Sequence, residues 1–267
     1  LIRETGLHPD VLTQWDMTAE NLRGKKALVL AGTTSIVPEI QDAIRDYVRS
    51  GGTAIAVFCA DGQGFPGANS YAYNGPLRES TGQRSFEEPV AAAHLGDVFG
   101  IRSAAGLGTH QTVTWKPYGT TSLEMFNAFV AAGKWAAVQP CVGRLVLRDN
   151  VDVLATFEDG SPAVISHSFG KGRAVSYAFD LGQVANSLTL PPLWQAWSDA
   201  LTQLGCRKSL DTGNVYVEGG AWHDDDGNRI VFLINHDADR KQAAALPDGR
   251  RVELAPNECK AVVLKME

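Results

Sequence analysis

The chain has 267 residues, 44% apolar and 20% charged, with 24 lysines and arginines against 30 aspartates and glutamates for a formal net charge of −6. This composition excludes a disordered, collagen-like or disulfide-framework protein. The acidic balance offers nothing to nucleic acid or an anionic membrane, and no run approaches the ~18 consecutive apolar residues of a spanning helix.

At ~100–200 residues per domain, one or two domains are expected. The opening Leu-Ile-Arg-Glu-Thr-Gly reads as the last turn of a helix closed by Gly6. The chain is therefore expected to be the C-terminal part of a longer polypeptide. Val11-Leu12 reads as a first strand, placed in the main sheet by the right-handed crossover rule. Ala27 to Leu30 is a short apolar run, followed by the loop residues Gly32 to Ser35. Pro38 then opens a helix where its missing N–H costs nothing. Ile40, Ala43, Ile44, Tyr47 and Val48 recur at helical spacing until Gly51-Gly52 stops it. Thr53 to Cys59 is a near-continuous apolar strand, as in a parallel sheet covered on both faces. These segments make one βαβ unit.

Ala60 to Gly108 reads as irregular and glycine-rich, with a short helix at His94 to Phe99. Long loops after parallel strands are where α/β folds carry function. Val151 to Phe157, Pro162 to His167 and Arg173 to Phe179 are strand-like runs joined by glycine-bearing turns, an antiparallel meander. A helix after Pro191-Pro192 aligns Trp194, Trp197, Leu201 and Leu204, with Gly205 as its cap. Arg207 to Asn214 reads as a polar linker. Beyond it, Val215 to Val217, Ile230 to Ile234, Arg251 to Leu254 and Ala261 to Leu264 are strands, with turns at Asp226-Gly227 and Asp248-Gly249. The fold class is therefore α/β, a parallel sheet with an antiparallel meander followed by a small all-β domain; the boundaries expected are 1–208 and 213–267.

Gly62-Gln-Gly-Phe-Pro-Gly67 matches the dinucleotide-binding string, but Pro66 interrupts it and no helix N-terminus follows to face a pyrophosphate. Cys59 ends the strand of the βαβ unit, where a nucleophile on a strained turn would be presented. No glycine lies two residues to either side of it, and the next histidine is His94. A buried, inert thiol is the expectation, with a hydrolase using Cys59 as the alternative. Asp224-Asp225-Asp226 suggests calcium, yet consecutive carboxylates diverge, and a solvated hairpin turn accounts for them better. The histidines His8, His94, His110, His167, His223 and His236 have no metal-ligand spacing. Glycoside hydrolysis needs a pair of glutamates at barrel strand ends, and Glu87, Glu88, Glu124 and Glu158 are the midchain candidates, but no eightfold βα alternation holds them, so they read as surface and turn. Trp222 is the aromatic on which a carbohydrate-binding reading of the β segment rests. No cofactor or metal is expected. Cys59, Cys141, Cys206 and Cys259 lack a Cys-x-x-Cys pair and read as reduced thiols of a cytoplasmic protein, two wide-loop disulfides being the other possibility.

Lys26-Ala-Leu-Val-Leu-Ala-Gly32, Ile44-Arg-Asp-Tyr-Val-Arg-Ser-Gly-Gly-Thr-Ala-Ile-Ala56, Leu95-Gly-Asp-Val-Phe-Gly-Ile101 and Gly170-Lys-Gly-Arg-Ala-Val-Ser-Tyr177 resemble the beta-galactosidase trimerisation domain. This is the middle domain of family 42 glycoside hydrolases, on a class I glutamine-amidotransferase-like (flavodoxin-like) fold. Val215 to Met266, with Arg229-Ile-Val-Phe-Leu-Ile-Asn-His236, resembles the small C-terminal β domain of those enzymes. The resemblance implies a noncatalytic oligomerisation part of a glycoside hydrolase, trimeric in its full-length parent, with the catalytic glutamates on a preceding barrel. Other copies of the chain and that barrel are its expected partners. The long loops from Ala60 to Gly108 are expected to serve subunit contact. Cys59 falls near the nucleophile position of the amidotransferase relatives, but their glycine-flanked elbow is missing. The expected His-x-Glu pair is replaced by Phe179-Asp180-Leu181.

Overall fold

The computed structural model describes residues 7, 9–31, 38–57, 90–91, 95–108, 112–116, 118–122, 141–179, 181 and 191–264. Two compact units divide the chain, one of Leu12–Leu188 and one of Leu1–Val11 with Thr189–Glu267.

In the first unit, β1 (Ala27–Ala31), α2 (Pro38–Arg49) and β2 (Thr53–Val57) form the expected βαβ unit, preceded by the short α1 (Ala19–Leu22). Every β2 residue is buried, as a doubly covered parallel strand requires. Helix α2 lays Ile40, Ile44 and Val48 into the core. It stops where Gly51 takes φ +119°. The Gly51 N–H donates to Val48 O and the Gly52 N–H to Tyr47 O, both at 2.9 Å, the paired bonds of a Schellman end.

The remaining elements of this unit are β3 (Val90–Ala91), α3 (Gly96–Phe99), β4 (Ile101–Gly108), β5 (Thr112–Trp115), β6 (Gly119–Ser122), β7 (Cys141–Leu147), β8 (Val151–Phe157), β9 (Pro162–Phe169) and β10 (Gly172–Tyr177). The main sheet runs β1-β2-β10-β9-β8-β5-β6. Strand β10 pairs parallel to β2 and antiparallel to β9, so it joins the βαβ unit to the meander. This junction requires a glycine: a Cβ on Gly172 would overlap the carbonyl oxygens of Val48 and Gly52. A separate sheet, β3-β4-β7, lies in the same unit. Arg45 on α2 grips Asp97 on α3 through Nε at 3.2 Å and Nη2 at 3.3 Å.

Two expectations fail in the N-terminal two fifths of the chain. Val11 and Leu12 form no strand; they lead into a 3-10 turn, Gln14–Asp16. The Asp16 carboxylate accepts from the Thr13 N–H and hydroxyl, which folds the chain into a turn and leaves Val11 exposed. Ile101–Gly108, read as irregular, is a strand paired with β7. Its alanines and glycines carry little strand propensity, and the pairing supplies what propensity lacks.

In the second unit, α4 (Pro191–Gln203) buries Trp194, Trp197 and Leu201 and ends with the Gly205 N–H on Thr202 O and the Cys206 N–H on Leu201 O. Strands β11 (Val217–His223), β12 (Arg229–Asn235) and β15 (Cys259–Leu264) form one antiparallel sheet, and β13 (Gln242–Ala245) and β14 (Arg251–Leu254) another. Their core is Val217, Val231, Leu233, Ala244, Leu246, Leu254 and Leu264. Leu210, placed by sequence in a linker, belongs to this core. The Thr212 hydroxyl beside it donates to Val217 O at 2.8 Å. The first strand starts later than Val215 because Asn214 holds a turn there, accepting from the Tyr216 N–H at Oδ1 and from the Val217 N–H at its carbonyl.

Candidate functional site

Parallel α/β sheets carry their chemistry at the carboxyl ends of the strands. Here that edge is the row Ala31, Val57 and Tyr177, aligned across β1, β2 and β10. Tyr177 is buried, and burial pushes its phenol well above the ordinary range, so it stays protonated. Its ring packs on Trp115 at 5.8 Å and on Phe179 at 5.8 Å, and Phe179 meets Phe157 at 6.2 Å. Phe179 and Leu181 are fully buried. Among the described residues, this edge carries a cluster of packed aromatic side chains, Trp115, Phe157, Tyr177 and Phe179.

Cys59, the candidate nucleophile, lies outside the described residues, as do the Gly62 to Gly67 string, Glu87, Glu88, Glu124, Asp180, His8, His94 and His110. Other residues singled out in the sequence have structural partners. The Thr112 N–H donates to Glu158 Oε2 at 3.1 Å, pinning the β5 edge to the β8–β9 turn. His167 Nδ1 lies 2.9 Å from Val98 O. Asp224 receives the N–H groups of Asp226 at 3.1 Å and Asn228 at 2.7 Å. With the Asn228 side chain also donating to it, its carboxyl is held below the ordinary range. Asp224 to Asp226 therefore build the β11–β12 hairpin, and among the described residues no cluster of three His, Cys, Asp or Glu is placed to hold a metal. Cys206 is half-buried and Cys259 exposed. Among the described residues no helix is long and apolar enough to cross a membrane.

The sequence reading missed a polar pair and an aromatic pair in the second unit. His236 Nε2 lies 3.0 Å from Glu218 Oε2, both partly buried. Trp222 meets Phe232 edge to face at 5.2 Å between ring centroids. Each pair joins β11 to β12 or its continuation, so neither partner is adjacent in sequence, and only strand register brings them together.

No family model and no curated protein matches the sequence. Solved structures do match. The β-galactosidase from Rahnella sp. R3 superposes with a TM-score of 0.60 at 18% identity over 99% of this chain and 35% of its own. The GH42 β-galactosidase Gan42B from G. stearothermophilus gives 0.55 at 17% identity, over 99% and 35%. The β-galactosidase of the Antarctic haloarchaeon Halorubrum lacusprofundi gives 0.52 at 16%, over 98% and 34%. The chain thus spans about a third of the length of these structures. At such identities the likeness is one of fold: a mixed parallel and antiparallel sheet, followed by small antiparallel sheets, in the arrangement found within β-galactosidases.

Proposed function

We propose that the chain is the noncatalytic oligomerisation and scaffold part of a β-galactosidase-like glycoside hydrolase, its first unit a glutamine-amidotransferase-like domain. Near-complete coverage of this chain by about a third of each β-galactosidase structure carries the reading. The other two thirds of such a protein leave room for a catalytic barrel with its paired carboxylates, whose hydrolysis this chain would support by holding subunits together, as a trimer in the parent. The packing of Tyr177 against Trp115 and Phe179 supports a structural role for the described part of the carboxyl edge. A cytoplasmic setting belongs to the same reading, since the four cysteines lack a Cys-x-x-Cys pair or a dense disulfide framework.

The purified chain, assayed with a nitrophenyl β-galactoside and examined by light scattering over a wide concentration range, is expected to associate without hydrolysing the substrate. A strict monomer at every concentration would count against the oligomerisation role. Hydrolysis lost on Cys59→Ala would replace the scaffold with a thiol enzyme. Sequencing the coding region upstream of Leu1 supplies an independent check, with a barrel carrying two acidic residues at its strand ends as the expected result.

A further inference from the structure

The outward face of the β11-β12-β15 sheet is apolar where a solvated strand face is normally polar. Register aligns it in three rows: Trp222, Ile230 and Val263; Gly220, Phe232 and Ala261; Glu218, Ile234 and Cys259. Trp222 is 50% exposed, Phe232 41% and Val263 54%. The opposite positions, Val217, Val231 and Leu233, form the core, so this face is an addition to the fold's own packing.

We propose that this face is a saccharide-binding platform, with Trp222 and Phe232 receiving the C–H-lined face of a neutral pyranose. The first argument is the seating of the indole. A Cβ on Gly220 would come within 2.5 Å of Trp222 Cη2 and 2.7 Å of Cζ3, so the missing side chain lets the indole lie down over the strand. Phe232 stands at 80° to it in edge-to-face contact, 5.2 Å between ring centroids, so the two rings form one continuous aromatic surface. The axial C–H bonds of a pyranose are electron-poor, and the face of an indole is electron-rich.

The second argument is area. At ~150–250 Å² per fully buried aromatic, the exposed parts of Trp222 and Phe232, with Val263 beside them, amount to on the order of 300 Å². A stable dimer buries about 800 Å² per partner, so the patch is small for a second copy and ample for one or two sugar rings. The third is the pattern of polarity. Among the outward positions of these strands the charged group is Glu218, paired with His236. A neutral ligand fits this face better than an ionic one. Glu218 lies four residues along β11 from Trp222, ~13 Å at strand rise. With His236 it offers a hydrogen-bond acceptor and donor to the hydroxyls of a short oligosaccharide lying along the strand. The proposal concerns binding alone and stands on the second unit's residues, independently of the scaffold reading.

The test is a titration of the chain with lactose, cellobiose and methyl β-galactoside, followed by tryptophan fluorescence and saturation-transfer NMR. Saturable binding with a Kd on the order of 1 mM is expected. Trp222→Ala should weaken it about tenfold or more, and Phe232→Ala several-fold. Gly220→Ala, which keeps both aromatics but displaces the indole, should weaken it nearly as much as Trp222→Ala. Circular dichroism on each variant identifies any that fails to fold, and the remaining two still decide the matter. No saturation by about 100 mM of any of the three sugars, or equal affinity in folded Trp222→Ala, overturns the proposal. So does self-association of the unmodified chain that Trp222→Ala abolishes, since a second copy would then cover the face.

Discussion

Asn235 offers a sharp test of how the second unit is held together. It ends β12, is 1% exposed, and makes three hydrogen bonds to backbone groups. Its Nδ2 donates to Arg240 O at 3.0 Å and Ala255 O at 2.8 Å, and its Oδ1 accepts from the Asp237 N–H at 2.9 Å. One side chain thus ties a strand to the turn after it and to the turn before β15. Asn235→Ala leaves two carbonyls and one N–H without these partners. A buried unsatisfied polar group costs ~1–3 kcal/mol; partial water access to the turns brings the expected total to ~3–4 kcal/mol. At ~0.05–0.15 kcal/mol per residue, a unit of this size has roughly 4–13 kcal/mol of stability, so the loss is a large fraction of it. Amide exchange read by mass spectrometry over β12 and β15 is the assay of choice, because it reports this unit without assuming that the whole chain unfolds in one step. Asn235→Asp keeps the acceptor but turns the donor towards two carbonyls as a second acceptor, so it should be at least as damaging at neutral pH. If Asn235→Ala changes protection by less than about 1 kcal/mol, the side chain is not the tie described.

Three further outcomes are expected. Gly172→Ala should cost more than ~3 kcal/mol or prevent folding, because the new methyl meets the backbone of Val48 and Gly52; Gly160→Ala, at φ +82° in open space, should cost only ~1 kcal/mol, and thermal melts compare the two. Asp224, Asp237, Asp248 and Glu258 all have carboxyls held below their ordinary range, Asp224 chiefly by the Asn228 side chain and the others chiefly by the N–H groups of Asp239, Arg250 and Ala255. Their contribution is therefore complete above the unfolded-state values and declines as pH falls towards the folded ones, so exchange protection of the second unit should drop below about pH 4, and Asp224→Asn should flatten that slope. Cys59→Ala should cost only ~1 kcal/mol, as loss of a small packed thiol would, and iodoacetamide with intact-mass readout should find no hyper-reactive thiol at Cys59 at neutral pH.

Legibility in the sequence followed the range of the interaction. The βαβ unit could be read because Pro38, the apolar stripe of α2 and Gly51-Gly52 announce a helix within one short window. The meander was equally plain, since Gly160 and Gly170 mark its turns. The β4–β7 pairing was not legible: Ala104, Ala105 and Gly106 look like loop until the partner strand, about 40 residues later, is known. Gln242–Ala245 fails in the same way, its alanines being strand only by virtue of β14. Val11-Leu12 misled because two apolar residues are too few to compete with the side-chain cap that Asp16 provides. Trp222 was visible as a lone aromatic, while its setting over Gly220 and beside Phe232 depends on a cross-strand register that no local window contains.

The position of β10 between β2 and β9 also bears on the chain's birth. During synthesis, β1, α2 and β2 emerge with the Thr53–Val57 edge open, and the strand that closes it, Arg173–Tyr177, is more than a hundred residues away. At ~5–20 residues per second the ribosome needs roughly 6–20 s to deliver it. Throughout that interval Thr-Ala-Ile-Ala-Val, a short uncharged segment destined for complete burial, offers unpaired backbone to any similar strand nearby. Pairing of this edge with a neighbouring nascent chain should therefore compete with its native closure by Arg173–Tyr177.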